Sequence, residues 1–223
     1  MVRAKTFDEG YFTTMEDVRE EVHRIGHREF VGGNDHFWDQ IQGLQFQLLA
    51  SRGLKPADTL IDVGCGSLRG GVKFIRYLEP GHYFGLEKHI ELIVYGVANE
   101  LGLDIYREKQ PRFVISETFE FEKFGGAPTF GIAQSLFTHL SARDVEACLS
   151  KLRGVVAPNC KLFTTFFETD GPATNPAVSH SHKNFSYTRS QMEEFGERAG
   201  WRPDYIGEWN HPRGQKLIEF LAA

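Results

Sequence analysis

From Thr59 onward, short apolar runs alternate with stripes of helical period. Thr59-Leu60-Ile61-Asp62-Val63 reads as a buried strand, followed by a glycine-rich turn and a helix through Phe74, Ile75 and Leu78. Pro80-Gly81 turns the chain into a second strand, Tyr83-Phe84-Gly85-Leu86-Glu87, and a helix over about 91–101 follows, stopped by Gly102. Further strands are predicted at 113–116, 130–135 and 162–167, with a helix between the last two that Ser141 and Asp144 cap and that ends before Pro158. Thr188 and Gln191 cap one more helix, stopped at Gly200, and strand-like runs at 205–209 and 216–221 flank a turn short enough for a hairpin. Upstream, the first 53 residues read as helical. Thr14 with Asp17 makes a capping box before Val18, Val22 and Ile25; Asn34 or Asp35 caps a second stripe, Phe37, Ile41, Leu44 and Leu48, that ends near Gly53. This alternation predicts an α/β fold: a doubly wound, mostly parallel, seven-stranded sheet with helices on both faces and an antiparallel C-terminal hairpin. Residues 1–57 are expected to form a helical segment packed on a core made by 58–223, as one compact unit.

Composition narrows the function. Of 223 residues, 41% are hydrophobic and 25% charged, an ordinary globular balance, and the 19 phenylalanines point to an aromatic-rich interior or ligand cleft. Net charge is −5 and no stretch concentrates Lys and Arg, so a nucleic-acid partner is not expected. Cys65, Cys148 and Cys160 fit neither a disulfide framework nor a zinc pattern. With no signal-like N-terminus and no apolar run long enough for a bilayer, a cytoplasmic protein away from membranes is expected.

In such a sheet, ligands bind beyond the carboxyl ends of the strands, at the switch point. The first strand delivers Asp62-Val63-Gly64-Cys65-Gly66-Ser67-Leu68-Arg69-Gly70-Gly71 to that edge. Gly64 and Gly66 permit a tight turn and close approach of backbone to ligand. Glu87 ends the second strand, where an acid can accept both ribose hydroxyls of an adenosine group. A dinucleotide fingerprint needs a third glycine at position 69, where Arg69 stands, and bulk there obstructs a pyrophosphate. An NAD-type oxidoreductase is therefore the alternative and not the leading reading.

These residues resemble the class I S-adenosylmethionine-dependent methyltransferases. The matching segments are Leu60-Ile61-Asp62-Val63-Gly64-Cys65-Gly66-Ser67, the acid in Phe84-Gly85-Leu86-Glu87, and Ile132-Ala133-Gln134-Ser135-Leu136-Phe137-Thr138-His139-Leu140, in the family's order. The resemblance spans about residues 58–221 and implies a Rossmann-like methyltransferase fold. It further implies S-adenosylmethionine as cofactor, S-adenosylhomocysteine as product and a small-molecule acceptor that the sequence does not identify. On this resemblance Asp62, Gly64 and Gly66 would line the methionine part of the cofactor, with Cys65, Ser67 and Lys88 among the binding positions. Glu87 would hold the ribose, Glu117 to Phe119 would approach the adenine, and Gln134 and Ser135 would sit under the cofactor near the reacting methyl. Leu68 departs from the family's Gly-x-Gly-x-Gly loop at its third glycine, and Glu87 is longer than the commoner Asp.

His139 follows the fourth strand, where it reads either as a base for the acceptor's proton or as a histidine that holds the loop. An oxygen acceptor is preferred because His139 and other histidines are available to take that proton. Arg69 is expected on a helix surface, or else over the cofactor's carboxylate. Trp38 and Gln45 would close over the cofactor or simply pack; His180, His182 and His211 read as surface or substrate-loop residues, with no metal expected. The polar segment 170–184 is where acceptor specificity is expected. A cofactor-binding module without catalysis is the remaining alternative.

Overall fold

The structure is a computed structural model that describes residues 15–32, 35–181 and 183–222. The caps expected at Thr14 and Asn34, and His182, lie outside the described residues. Three helices come first, α1 (Met15–Ile25), α2 (His27–Phe30) and α3 (Asp35–Ser51). Strands and helices then alternate: β1 (Leu60–Val63), α4 (Gly71–Tyr77), β2 (Tyr83–Glu87), α5 (Ile90–Gly96), α6 (Leu103–Lys109), β3 (Arg112–Ile115), β4 (Phe130–Ala133), α7 (Ala142–Arg153) and β5 (Lys161–Glu168). The chain closes with β6 (Ser186–Tyr187), α8 (Arg189–Arg198), β7 (Trp201–Gly207) and β8 (Lys216–Ala222).

The main sheet runs β3-β2-β1-β4-β5-β8-β7. Every pairing from β3 to β5 is parallel, while β8 runs antiparallel to both β5 and β7. This is the expected seven-stranded path with its antiparallel hairpin, and the two-residue β6 adds to β5. Because side chains alternate along a strand, Ile61 and Val63 enter one core cluster with Leu149, Phe185, Phe195 and Phe220, while Leu60 enters the other with Phe74, Ile75 and Leu78. Helices therefore cover both faces.

Local rules explain most element ends. Ser141 accepts a hydrogen bond from the Asp144 N–H, and Thr188 with Gln191 closes a full capping box on α8. Four departures are informative. The stripe of α3 is rotated from the expected one: Trp38, Ile41, Gln45 and Leu49 are the buried face, with Phe37, Leu44 and Leu48 at its margins. A reading that counts only apolar positions misses this, because the buried face contains a glutamine. Neither α2 nor α6 buries a side chain, so neither leaves a periodic signature. Finally, β7 starts at Trp201 and carries Pro203, which the sheet tolerates because β7 is its edge strand. Among the described residues, no helix is long and apolar enough to cross a membrane.

Candidate functional site

All four residues of β1 are buried, so the turn after Val63 starts from a rigid base at the carboxyl edge of the sheet. Gly64 (φ 73°), Gly66 (φ 53°) and Leu68 (φ 65°) are left-handed. Leu68 thus keeps a glycine-like conformation at the third-glycine position. Its side chain is fully buried in the core beside α4, which offsets the roughly 1–2 kcal/mol that a left-handed non-glycine residue costs.

The turn faces a cavity of about 860 Å³. On the β2 side, Glu87 is 7% exposed and accepts three backbone N–H donors: Gly66 on Oε2 at 3.0 Å, Lys88 on Oε1 at 2.9 Å and His89 on Oε1 at 3.1 Å. Burial pushes its carboxyl above the usual range, and the three N–H groups oppose that shift. Asp62, at the end of β1, is buried and accepts the Tyr83 hydroxyl at 2.7 Å. Desolvation raises it to about 7, against the pull of the Tyr83 hydrogen bond and with a further push from Glu87.

On the β4 side, Arg69 donates to Gln134 Oε1 at 2.7 Å, and Gln134 Nε2 reaches Ser135 Oγ at 2.5 Å and His211 Nε2 at 3.1 Å. Ser135 is left-handed at φ 57°, with its N–H donated to Thr165 Oγ1 at 2.7 Å. Ser135 and Thr165 both donate their hydroxyls to Gln215 Oε1, at 3.0 and 2.7 Å. His139 Nδ1 lies 3.1 Å from the Lys183 carbonyl, and burial lowers its pKa more than the Lys183 and His180 carbonyls raise it. The neutral ring therefore donates through Nδ1 and keeps a lone pair on Nε2. The same loop is tied down by His180 N–H to the His139 carbonyl at 2.9 Å and Phe185 N–H to the Thr138 carbonyl at 2.8 Å.

Over the glycine turn lie α1 and α2. Val18 and Val22 pack on Leu92 of α5, and Arg28 holds Glu100 at 2.7 and 2.9 Å, which places Val31 above Gly66. Glu21, Ile25, Phe30 and Val31 thereby line the cavity from above.

No family model matches the chain. Solved structures do. The chain is similar to magnesium protoporphyrin IX methyltransferase from Synechocystis PCC 6803 with bound S-adenosylhomocysteine (TM-score 0.67, 13% identity, 94% of this chain and 100% of that one). It is also similar to an amino pentose methyltransferase from Micromonospora echinaspora with bound S-adenosylmethionine (TM-score 0.60, 16% identity, 92% and 97% covered). A glycopeptide N-methyltransferase complexed with S-adenosylhomocysteine matches at TM-score 0.63 and 11% identity, over 81% and 89% of the two chains. The chain has the class I methyltransferase fold.

Within this methyltransferase fold, Asp62, Gly64, Cys65, Gly66, Ser67, Glu87, Lys88, Gln134, Ser135 and His139 all line the one cavity. Glu117 and Phe119 do not: Glu117 is exposed, and Phe119 turns at φ 59° into the core, where it stacks on Phe121. Arg69 is not on a helix surface, being 9% exposed and pointed at Gln134. Trp38 packs, edge-on to His27 and under the Arg28 guanidinium, while Gln45 reaches the cavity wall. His211 is buried behind Gln134, stacked on Trp209. Arg213 and Gln215 of the β7–β8 turn and the α1–α2 roof are additions that the sequence reading did not assign.

The raised Asp62 carboxyl has a measurable consequence. Its folded pKa of about 7 lies above the unfolded value of 3.8, so the folded protein holds a proton that the unfolded chain releases. The stabilisation is complete below about pH 4 and is lost as pH rises through 7. Asp62→Asn stays neutral throughout, so its melting temperature relative to wild type should climb between pH 4.5 and 7.5. A difference that does not vary with pH would mean that Asp62 titrates as a solvated acid.

Proposed function

We propose that this chain is an S-adenosylmethionine-dependent methyltransferase acting on a small-molecule acceptor. The observation that carries the reading is Glu87. A buried carboxylate, fixed by three backbone donors beside the glycine turn, keeps one lone pair on Oε2 for a ribose hydroxyl. Two further features of the cavity fit the cofactor. Ser67 Oγ and His89 Nε2 are buried in its wall with no hydrogen-bond partner among the described residues, as expected of groups that a polar ligand satisfies. Asp62, Glu87 and Gln134 also surround a stretch of turn where glycines leave the backbone bare.

When bound, S-adenosylmethionine supplies a methyl group activated by its sulfonium. Glu87 would hold the ribose, and Asp62 with the Gly64–Gly66 turn would line the methionine half. Burying Arg69 against Gln134 keeps bulk where a dinucleotide's pyrophosphate would pass, which disfavours the NAD reading. α1 and α2 roof the cavity over the turn. At the floor, His139 with its unprotonated Nε2 is placed to take a proton from a hydroxyl acceptor, which supports the preference for oxygen. Its bond to Lys183 equally supports a role in holding the 179–185 loop. The similar structures, which include methyltransferases of an amino pentose and of a glycopeptide, support a small or glycosylated acceptor without choosing one.

Calorimetric titration tests the reading. S-adenosylmethionine and S-adenosylhomocysteine should bind with micromolar affinity while NAD gives no heat, and a panel of hydroxyl and amine acceptors should release S-adenosylhomocysteine. NAD binding with a silent S-adenosylmethionine titration would turn the reading to an oxidoreductase. Cofactor binding with no release from any acceptor would leave a module without catalysis.

A further inference from the structure

The polar floor of the cavity has a direction, and Arg69 sets it. A guanidinium only donates, so the Gln134 atom it meets at 2.7 Å must be the amide oxygen. Gln134 therefore donates through Nε2 to Ser135 Oγ. Ser135 Oγ, having accepted from Gln134, donates its own proton to Gln215 Oε1 at 3.0 Å. Thr165 Oγ1 is in the same position, since it accepts the Ser135 N–H and passes its proton to the same Gln215 oxygen at 2.7 Å. With both hydroxyls donating to that oxygen, Gln215 stands oxygen inward and Nε2 outward.

Gln215 is 1% exposed, yet it lines the cavity, and its Nε2 has no partner among the described residues. Beside it in the β7–β8 turn, Arg213 also lines the cavity and extends across to α2, where a side chain at position 32 would meet its Nη1 at 2.9 Å. Among the described residues, no carboxylate pairs with the Arg213 guanidinium. Its charge is felt by its neighbours: after burial, Arg213 is the largest influence lowering Arg69, to about 10, and it also helps hold His211 and His139 neutral. The carboxylates Asp62 and Glu87 stand on β1 and β2. Gln215 and Arg213 come instead from the turn before β8, past β4 and β5 in the strand order.

The groups that Gln215 Nε2 and the Arg213 guanidinium offer are all donors, and they call for a ligand group that brings acceptors. We propose that the β7–β8 end of the cavity is an oxyanion subsite, formed by Gln215 Nε2 and Arg213 with Arg69 behind them, that holds a carboxylate or phosphate group of the methyl acceptor. This rests on the methyltransferase reading and adds an acceptor class to it: an anionic small molecule, anchored at β8 while its nucleophile reaches back toward Ser135 and His139.

The probes are benzoate, its neutral isostere benzamide, and phenyl phosphate, titrated into the protein saturated with S-adenosylhomocysteine. Benzoate should bind at least fivefold tighter than benzamide. Arg213→Ala, a change at an exposed side chain that leaves the core intact, should weaken benzoate at least fivefold and change S-adenosylhomocysteine affinity less than twofold. Phenyl phosphate at least fivefold tighter than benzoate would support the subsite and assign the group to a phosphate. Benzoate no tighter than benzamide, with both silent included, overturns the proposal. A parallel loss of S-adenosylhomocysteine affinity in Arg213→Ala also overturns it, because the arginine would then serve the cofactor's own carboxylate. Failure of the wild type to bind S-adenosylhomocysteine is a separate result and sinks the methyltransferase reading itself.

Discussion

Glu87→Ala should lower affinity for S-adenosylmethionine about a hundredfold and should also destabilise the ligand-free protein. The first effect follows from losing a charge-assisted hydrogen bond to the ribose, worth roughly 1.5–3 kcal/mol. The second comes from the protein alone. The carboxylate satisfies the backbone N–H groups of Gly66, Lys88 and His89, and alanine leaves all three facing the cavity without an acceptor. A buried unsatisfied donor costs roughly 1–3 kcal/mol. Water entering the cavity recovers part of this, so about 2 kcal/mol, or roughly 4–8 °C of melting temperature, is expected for a domain of this size. Glu87→Gln separates the two roles. It keeps one oxygen for Lys88 and His89 but turns an amide N–H₂ toward Gly66, so its melting temperature should fall between alanine and wild type. Unchanged cofactor affinity in Glu87→Ala would remove Glu87 from the binding site. A normal melting temperature with lost affinity would mean that the three backbone donors find other partners.

That double role marks where sequence reading stops. The acid at the end of β2 and the glycines after β1 are legible because each is set by its neighbours along the chain: a strand end, a turn, a residue without Cβ. So are the caps at Ser141 and Thr188, which are closed within three residues. What escapes is long-range. Gln134 meets His211 and Ser135 meets Gln215 across 77 and 80 residues, and nothing local at 211–215 announces that the hairpin turn completes the cavity floor. Arg69 reads as a surface residue because its partner, Gln134, lies 65 residues away. The turn of α3 toward Trp38 and Gln45 has the same origin, since a helix facing a polar cavity buries a polar residue and so departs from its apolar stripe. Phe119 is a different failure. Its place after β3 suggested the adenine wall, but its left-handed backbone turns the ring down onto Phe121 in the core.

Gly66→Val is expected to abolish cofactor binding outright, through either of two routes that the structure leaves open. Gly66 sits at φ 53°, a region that a β-branched residue rarely enters and that costs roughly 1–3 kcal/mol. If the backbone stays, a Cβ at this position lies 3.3 Å from Val31 Cγ1 before the two further methyls are added. Valine then pushes α2 off the turn and fills the space above it. If the backbone relaxes, the Gly66 N–H leaves Glu87 Oε2, now 3.0 Å away, and the ribose acid loses one of its three anchors. Both routes end in a site that cannot close around the cofactor, so titration should show no heat, a loss of at least a hundredfold. The circular dichroism spectrum should remain native, because Gly66 belongs to none of the core clusters. Gly66→Ala calibrates the result: with one added carbon and milder strain, about tenfold weaker binding is expected. If Gly66→Val binds S-adenosylmethionine normally while folded, the cofactor does not lie against this turn, and the roles assigned to Glu87 and Asp62 fall with it.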